Sequence, residues 1–162
     1  DLRRRLLEQS PAGVVMNPMN NDVYHCFKGG GAFVNGTSIR VGTQNTMNDA
    51  LAVTGFPYNR RENIEVIVER LKIMLMHVQC VRRLGSAALD LCHIARGIFA
   101  VYWETNLKPW DVAAGTMLVH EAGGRVTRFD GTPMALDSFE LLATNGILHG
   151  EAMRLLAPTL AR

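Results

Sequence analysis

Asp111 stands near the start of the run Pro109-Trp110-Asp111-Val112-Ala113-Ala114-Gly115, which continues apolar as far as Glu121-Ala122-Gly123-Gly124. Proline is preorganised for the first helical position and glycine for the stop, so the tract predicts a helix over about 109–122 with Asp111 in its first turn. There the positive end of the helix dipole keeps a carboxylate ionised and able to hold a cation. A plainer role is also open, a first-turn acid that stabilises its own helix by roughly 0.3–1 kcal/mol. Seven residues upstream, Glu104 follows the apolar run 98–103. At a strand end its side chain can reach the mouth of a site, or it can be an ordinary loop acid. Gly85-Ser86-Ala87 precedes a third candidate element, a helix over 87–96. The free amides of such a helix start can meet an oxygen-rich ligand, and Ser86 can equally serve as its cap.

Other reactive residue types form no constellation. His25, His77, His93, His120 and His149 lack ligand spacing, and neighbours such as His120-Glu121 or Cys92-His93 do not face each other on a helix. They are assigned to surface or satisfied core positions. Cys26, Cys80 and Cys92 are odd in number and without CxxC spacing, which argues against a disulfide framework or a zinc site and for reduced, buried thiols. Gly115, Gly123 and Gly124 are expected to serve close packing and a helix stop.

The elements that must hold these residues follow from periodicity. Strand-like patterning with turns at Asn17-Pro18, Asn20-Asn21-Asp22 and Asn35-Gly36 predicts an antiparallel meander, and strands over about 13–54 are read as antiparallel. Gly29-Gly30-Gly31 is expected to be a bend, since no helix follows it to make a phosphate cradle. Ile64, Ile67, Val68, Leu71, Met74 and Leu75 recur at helical spacing within 59–77. Strands over 78–81, 98–103, 125–127 and 141–144 alternate with helices, the last helix capped by Asn145. Such alternation through about 59–157 indicates an α/β layered arrangement in one domain.

These motifs together resemble the inositol monophosphatase family. The run Trp110-Asp111-Val112-Ala113-Ala114-Gly115 closing in Glu121-Ala122-Gly123-Gly124 is similar to that family's C-terminal signature. Gly13 to Pro18, Lys28 to Gly36 and Arg82-Arg83-Leu84-Gly85-Ser86-Ala87-Ala88 are similar to its strand, hairpin and substrate-side turn, in the family's order. The resemblance implies an α+β layered sandwich of the inositol monophosphatase and fructose bisphosphatase type. It implies Asp111 as a Mg²⁺ ligand that also touches a substrate hydroxyl, and Trp110 as packing that fixes its direction. Glu104 and Gly85, Ser86 and Ala87 are implied as contacts to a phosphorylated polyol, two of whose hydroxyls can each donate to one oxygen of Glu104. A homodimer is implied for the full-length form.

The family's Glu-Glu pair and Asp-Pro-x-Asp-Gly-Thr motif are absent, and Asp22, Asp49, Asp90, Asp130 and Asp137 are scattered singly. A two-metal site needs several carboxylates converging on ions roughly 3.5–4 Å apart. The sequence therefore reads as the C-terminal part of a larger enzyme. Three alternatives stay open: inositol phosphatase, a fructose bisphosphatase or nucleotide 3′-phosphatase of the same superfamily, and a silent fragment or interaction module.

Composition sets the outer bounds. With 162 residues, 48% hydrophobic and 20% charged, the chain is long enough for a core of its own. A net charge of +2 is too weak to argue for nucleic acid. Arg3-Arg4-Arg5 sits at a terminus, while Arg60-Arg61 and Arg82-Arg83 read as solvated surface. No stretch approaches the ~20 apolar residues of a membrane span, so a cytoplasmic protein is expected.

Overall fold

Two-residue periodicity early in the chain and helical periodicity later produce two different sheets. The structure, a computed structural model, describes residues 11–135 and 140–160. Arg3-Arg4-Arg5 and Asp137 lie outside the described residues.

The first sheet is the predicted meander, β1 (Ala12–Asn17), β2 (Asp22–Phe27), β3 (Gly31–Val34) and β4 (Thr37–Ile39), antiparallel in chain order. Asn35 and Gly36, at φ 49° and 79°, take the left-handed conformation that the two central residues of a type I′ hairpin turn require. The glycine bend before β3 is held from a distance. Glu121 accepts hydrogen bonds from the amides of Gly29 (2.9 Å) and Gly31 (3.0 Å) through its two oxygens.

The antiparallel run stops at Ile39, which corrects the expectation that it reaches residue 54. β5 (Leu51–Thr54) instead pairs parallel with β6 (Cys80–Arg82) and β7 (Val101–Thr105). The cause is connectivity, because a helical crossover returns the next strand parallel to the first. These crossovers are α1 (Ile64–Leu75) and α2 (Ala87–Ala95). After α3 (Pro109–Glu121), β8 (Arg125–Thr127) and β9 (Glu140–Thr144) complete a sheet of order β6-β5-β7-β9-β8, with β9 antiparallel to both neighbours.

Helix boundaries differ from periodicity where polar segments intervene. Residues 58–62 are turns, with Arg60 N–H bonded to Pro57 C=O and Glu62 N–H to Asn59 C=O, because this polar stretch has no apolar face to bury. The last helix, α4 (His149–Leu156), begins after Leu148 and is not capped by Asn145. Asn145 instead accepts from the Leu148 amide at 3.0 Å and orders the turn ahead of the helix.

The elements stack as meander, α2 with α3, second sheet, then α1 with α4. Helices α2 and α3 approach closely at Gly115, where a Cβ would stand 2.6 Å from Leu91. One core, including Tyr24, Leu91, Tyr102, Leu118 and Leu141, fills the space around α2 and α3. A second, including Ala52, Met74, Trp103, Phe129 and Leu142, lies under α1 and α4. Strand alternation along β7 sends Tyr102 to one and Trp103 to the other. Cys26 and Cys92 are buried free thiols and Cys80 is half-buried. His149 is a satisfied core histidine between the hydroxyls of Thr127 (2.8 Å) and Thr144 (2.9 Å).

Candidate functional site

In open α/β sheets the strand ends and helix starts that follow them converge, and ligands collect there. Here the carboxyl ends of β5 and β6 lead into Gly55 and Arg83, and that of β7 carries Glu104, while α2 and α3 begin at Ala87 and Pro109. A cleft of about 310 Å³ opens between these segments. Its size suits a small organic ligand.

All five residues singled out in the sequence line this cleft: Gly85, Ser86, Ala87, Glu104 and Asp111. Asp111 sits in the first turn of α3, where Oδ2 accepts from the Lys108 amide at 2.9 Å. One oxygen thus secures the helix start, as the plainer reading of that acid has it, and Oδ1 takes no hydrogen bond among the described residues. Gly85 adopts φ 102°, and Ser86 caps α2 through a long 3.5 Å contact with the Leu89 amide.

Glu104 belongs to β7 itself, inside the strand end and not beyond it, and is only 9% exposed. Alternation puts Tyr102 on the same face, and its buried hydroxyl donates to Glu104 Oε2 at 2.6 Å. Burial raises the Glu104 pKa, with Asp111 adding to the rise, while the Tyr102 bond and the Arg83 guanidinium act the other way. The Tyr102 phenol is itself driven well above its ordinary value by burial and by Glu104.

Asp90, on α2, is not among the residues lining the cleft, but the charges of Glu104 and Arg83 act on it. It is 1% exposed, and neither oxygen has a hydrogen-bond partner among the described residues. Burial, then the Glu104 charge, push its pKa up to about 7 against the pull of Arg83. A signal was available: Ala87, Asp90, Leu91 and Ile94 share one helical stripe, so an acid stands in an otherwise apolar, inward-facing row.

One expectation is corrected. Trp110 does not pack behind Asp111 but is 78% exposed on the cleft wall, because α3 buries its Val112 and Gly115 side and leaves position 110 to solvent. Arg60 and Arg83, one from each arginine pair, are exposed as expected and also line the cleft, since each lies in a loop leaving a strand or entering a helix at its mouth. A Cβ at Gly85 would stand 2.7 Å from Arg83 Nη1, so that guanidinium is folded across the turn.

Among the described residues no three His, Cys, Asp or Glu side chains converge in a way that could hold a metal ion. Asp111 can offer one oxygen donor to a hard cation, and a full coordination shell needs donors beyond it. Among them, too, no helix is long and apolar enough to cross a membrane.

The model of the inositol monophosphatase family matches residues 6–162. The chain is 42% identical over 139 residues to the phosphatase IMPL1, chloroplastic, of Arabidopsis thaliana, covering 86% of this chain and 38% of that protein. It is 39% identical over 155 residues to an inositol-1-monophosphatase of Synechocystis, covering 95% and 54% respectively. The solved inositol monophosphatase of Anabaena (Nostoc) superposes with a TM-score of 0.88 at 40% identity, over 91% of this chain and 59% of that one. The chain thus spans about half the length of the relatives it matches. The mixed α/β layers described above are those of the solved relatives, and the chain belongs to the inositol monophosphatase family.

Proposed function

We propose that this chain supplies the alcohol-binding wall and one metal ligand of a Mg²⁺-dependent phosphomonoesterase acting on inositol monophosphate or a related polyol phosphate. The observation that carries the reading is that Glu104 and Asp111 open onto one cleft together with the Gly85 to Ala87 helix start. In this reading Glu104 accepts hydrogen bonds from neighbouring ring hydroxyls, and the amides opening α2 receive ligand oxygens. Asp111 contributes an ionised oxygen to the cation and touches a hydroxyl beside it. Bound Mg²⁺ supplies Lewis-acid stabilisation of the phosphoryl oxygens, activation of water and stabilisation of the departing alkoxide. Hydrolysis is then direct, without a covalent enzyme intermediate.

Relatives named as inositol-1-monophosphatases support the substrate class. Substrate profiling across inositol phosphates, fructose 1,6-bisphosphate and nucleoside 3′-phosphates separates this reading from its superfamily alternatives. Saturable binding of myo-inositol 1-phosphate with Mg²⁺, lost in Asp111→Asn, is the expected result. Equal binding by wild type and variant would overturn it.

A second reading, that these 162 residues alone are catalytically silent, is favoured by the lack of a three-donor metal cluster among the described residues. It predicts no phosphate release with Mg²⁺. Robust release abolished by Asp111→Asn would refute it. A cytoplasmic location and a homodimer of the full-length form complete the proposal, the dimer being tested by sedimentation of the purified full-length protein.

A further inference from the structure

Glu104 is the best-buried acid on the cleft, and its carboxylate occupies space that exists only because residue 55 has no side chain. A Cβ built at Gly55 would overlap Oε1, Oε2 and Cδ of Glu104. Gly55 is not among the glycines at positive φ, so its φ does not call for glycine, and the three atoms nearest to a Cβ there all belong to Glu104. From the other side, Tyr102 is fully buried and donates to Oε2 at 2.6 Å. Its ring is packed in the core shared by α2, α3 and both sheets, which holds the phenol oxygen in place. Oε2 thereby already accepts one bond from the protein, whereas Oε1 takes no hydrogen bond among the described residues. A buried carboxylate with several rotamers would bind diol hydroxyls poorly, because fixing it on binding costs conformational entropy.

We propose that Gly55 and Tyr102 are positioning residues for Glu104, which between them aim its free oxygen at the hydroxyl groups of the ligand's alcohol portion and so select polyol phosphates over simple alkyl phosphates. The proposal rests on the reading of the cleft as a polyol phosphate site. Tyr102 does not line the cleft, and Gly55 brings only backbone to it. Gly55 acts by leaving room and Tyr102 by holding one oxygen, so both effects pass through Glu104.

The test uses this chain with Gly55→Ala, Tyr102→Phe, Glu104→Asp and the pair Gly55→Ala/Glu104→Asp. Carbon-13 NMR of the Glu104 carboxyl reports its surroundings without ligand. Titration with Mg²⁺ plus myo-inositol 1-phosphate, or Mg²⁺ plus ethyl phosphate, reports selectivity. Gly55→Ala is expected to fold, since the atoms it displaces are the end of a flexible side chain, and to shift the Glu104 resonance. Its affinity for myo-inositol 1-phosphate should fall about tenfold or more, the scale of a lost hydrogen bond to a charged group, while ethyl phosphate affinity stays unchanged.

Tyr102→Phe should raise the titration midpoint of Glu104, because the phenol bond favours the ionised form. Shortening the acid in Gly55→Ala/Glu104→Asp should recover part of the binding lost in Gly55→Ala. A Glu104 resonance and midpoint unmoved in both single variants, or equal losses for the two probes, would overturn the proposal. Should Gly55→Ala prevent folding, Tyr102→Phe decides the same point. Failure of the wild type to bind myo-inositol 1-phosphate would sink the proposed function instead, and the ligand-free NMR would still decide whether Gly55 and Tyr102 hold Glu104.

Discussion

Replacing Asp90 by asparagine should make the protein more stable at alkaline pH and change little at acid pH. Asp90 is 1% exposed, without hydrogen-bond partners among the described residues, and burial pushes its pKa up to about 7 in the fold against 3.8 for a solvated aspartate. The folded state therefore holds a proton that the unfolded chain has already released. An acid with a raised pKa contributes stability below the unfolded value and loses it as pH climbs through the folded one. At ~1.4 kcal/mol per pH unit, the wild type should lose roughly 2–3 kcal/mol at this residue between pH 5 and pH 9. Asparagine is nearly isosteric with the protonated acid and cannot ionise, so the variant escapes that loss. Urea unfolding at pH 5, 7 and 9, followed by fluorescence of buried Trp103, measures the difference between variant and wild type. The advantage of Asp90→Asn should grow by roughly 2–3 kcal/mol across this range. If the exposed Arg83 held Asp90 ionised, the variant would be less stable at pH 9, and the reasoning from burial and Glu104 repulsion would be refuted. A difference that does not change with pH would refute it equally.

The other stability predictions address separate parts of the fold. Glu121→Ala removes both bonds to the Gly29 and Gly31 amides and should cost about 1–3 kcal/mol by urea unfolding, with Glu121→Gln recovering part of it. An unchanged midpoint in Glu121→Ala would show that the glycine bend holds itself. Gly115→Ala places a Cβ 2.6 Å from Leu91 and should destabilise by about 1–3 kcal/mol, whereas the pair Gly115→Ala/Leu91→Ala should show non-additive coupling. Burial brings His149 down to about 4 from 6.5, so its contribution is present above pH 6.5 and lost as pH falls toward 4. His149→Gln should flatten the acid limb of the stability profile, and an identical limb in the variant would rule that out.

What could be read from residues alone was whatever depends on neighbours in sequence. The type I′ turn at Asn35-Gly36, the helix following Pro109, and the strand and helix order after residue 59 all arise from local backbone preference and short-period patterning. Gly85, Ser86, Ala87, Glu104 and Asp111 stand in motifs that resemble the family's, which is what singled them out, and all five line one cleft.

Tertiary structure decided the rest. The parallel pairing of β5 depends on where the crossovers carry β6 and β7, which no property of residues 51–54 encodes. The same distance in sequence hides the site's supports. Gly55 lies 49 positions from the acid it makes room for, and Asp90 becomes unusual only when α2 buries it beside Glu104. Trp110 reads as core and stands in solvent, while Arg60 and Arg83 read as surface and face the cleft. Periodicity says that a residue has a side. Which neighbour occupies that side, and hence which charge is buried and which oxygen stays free, is determined only when the layers close.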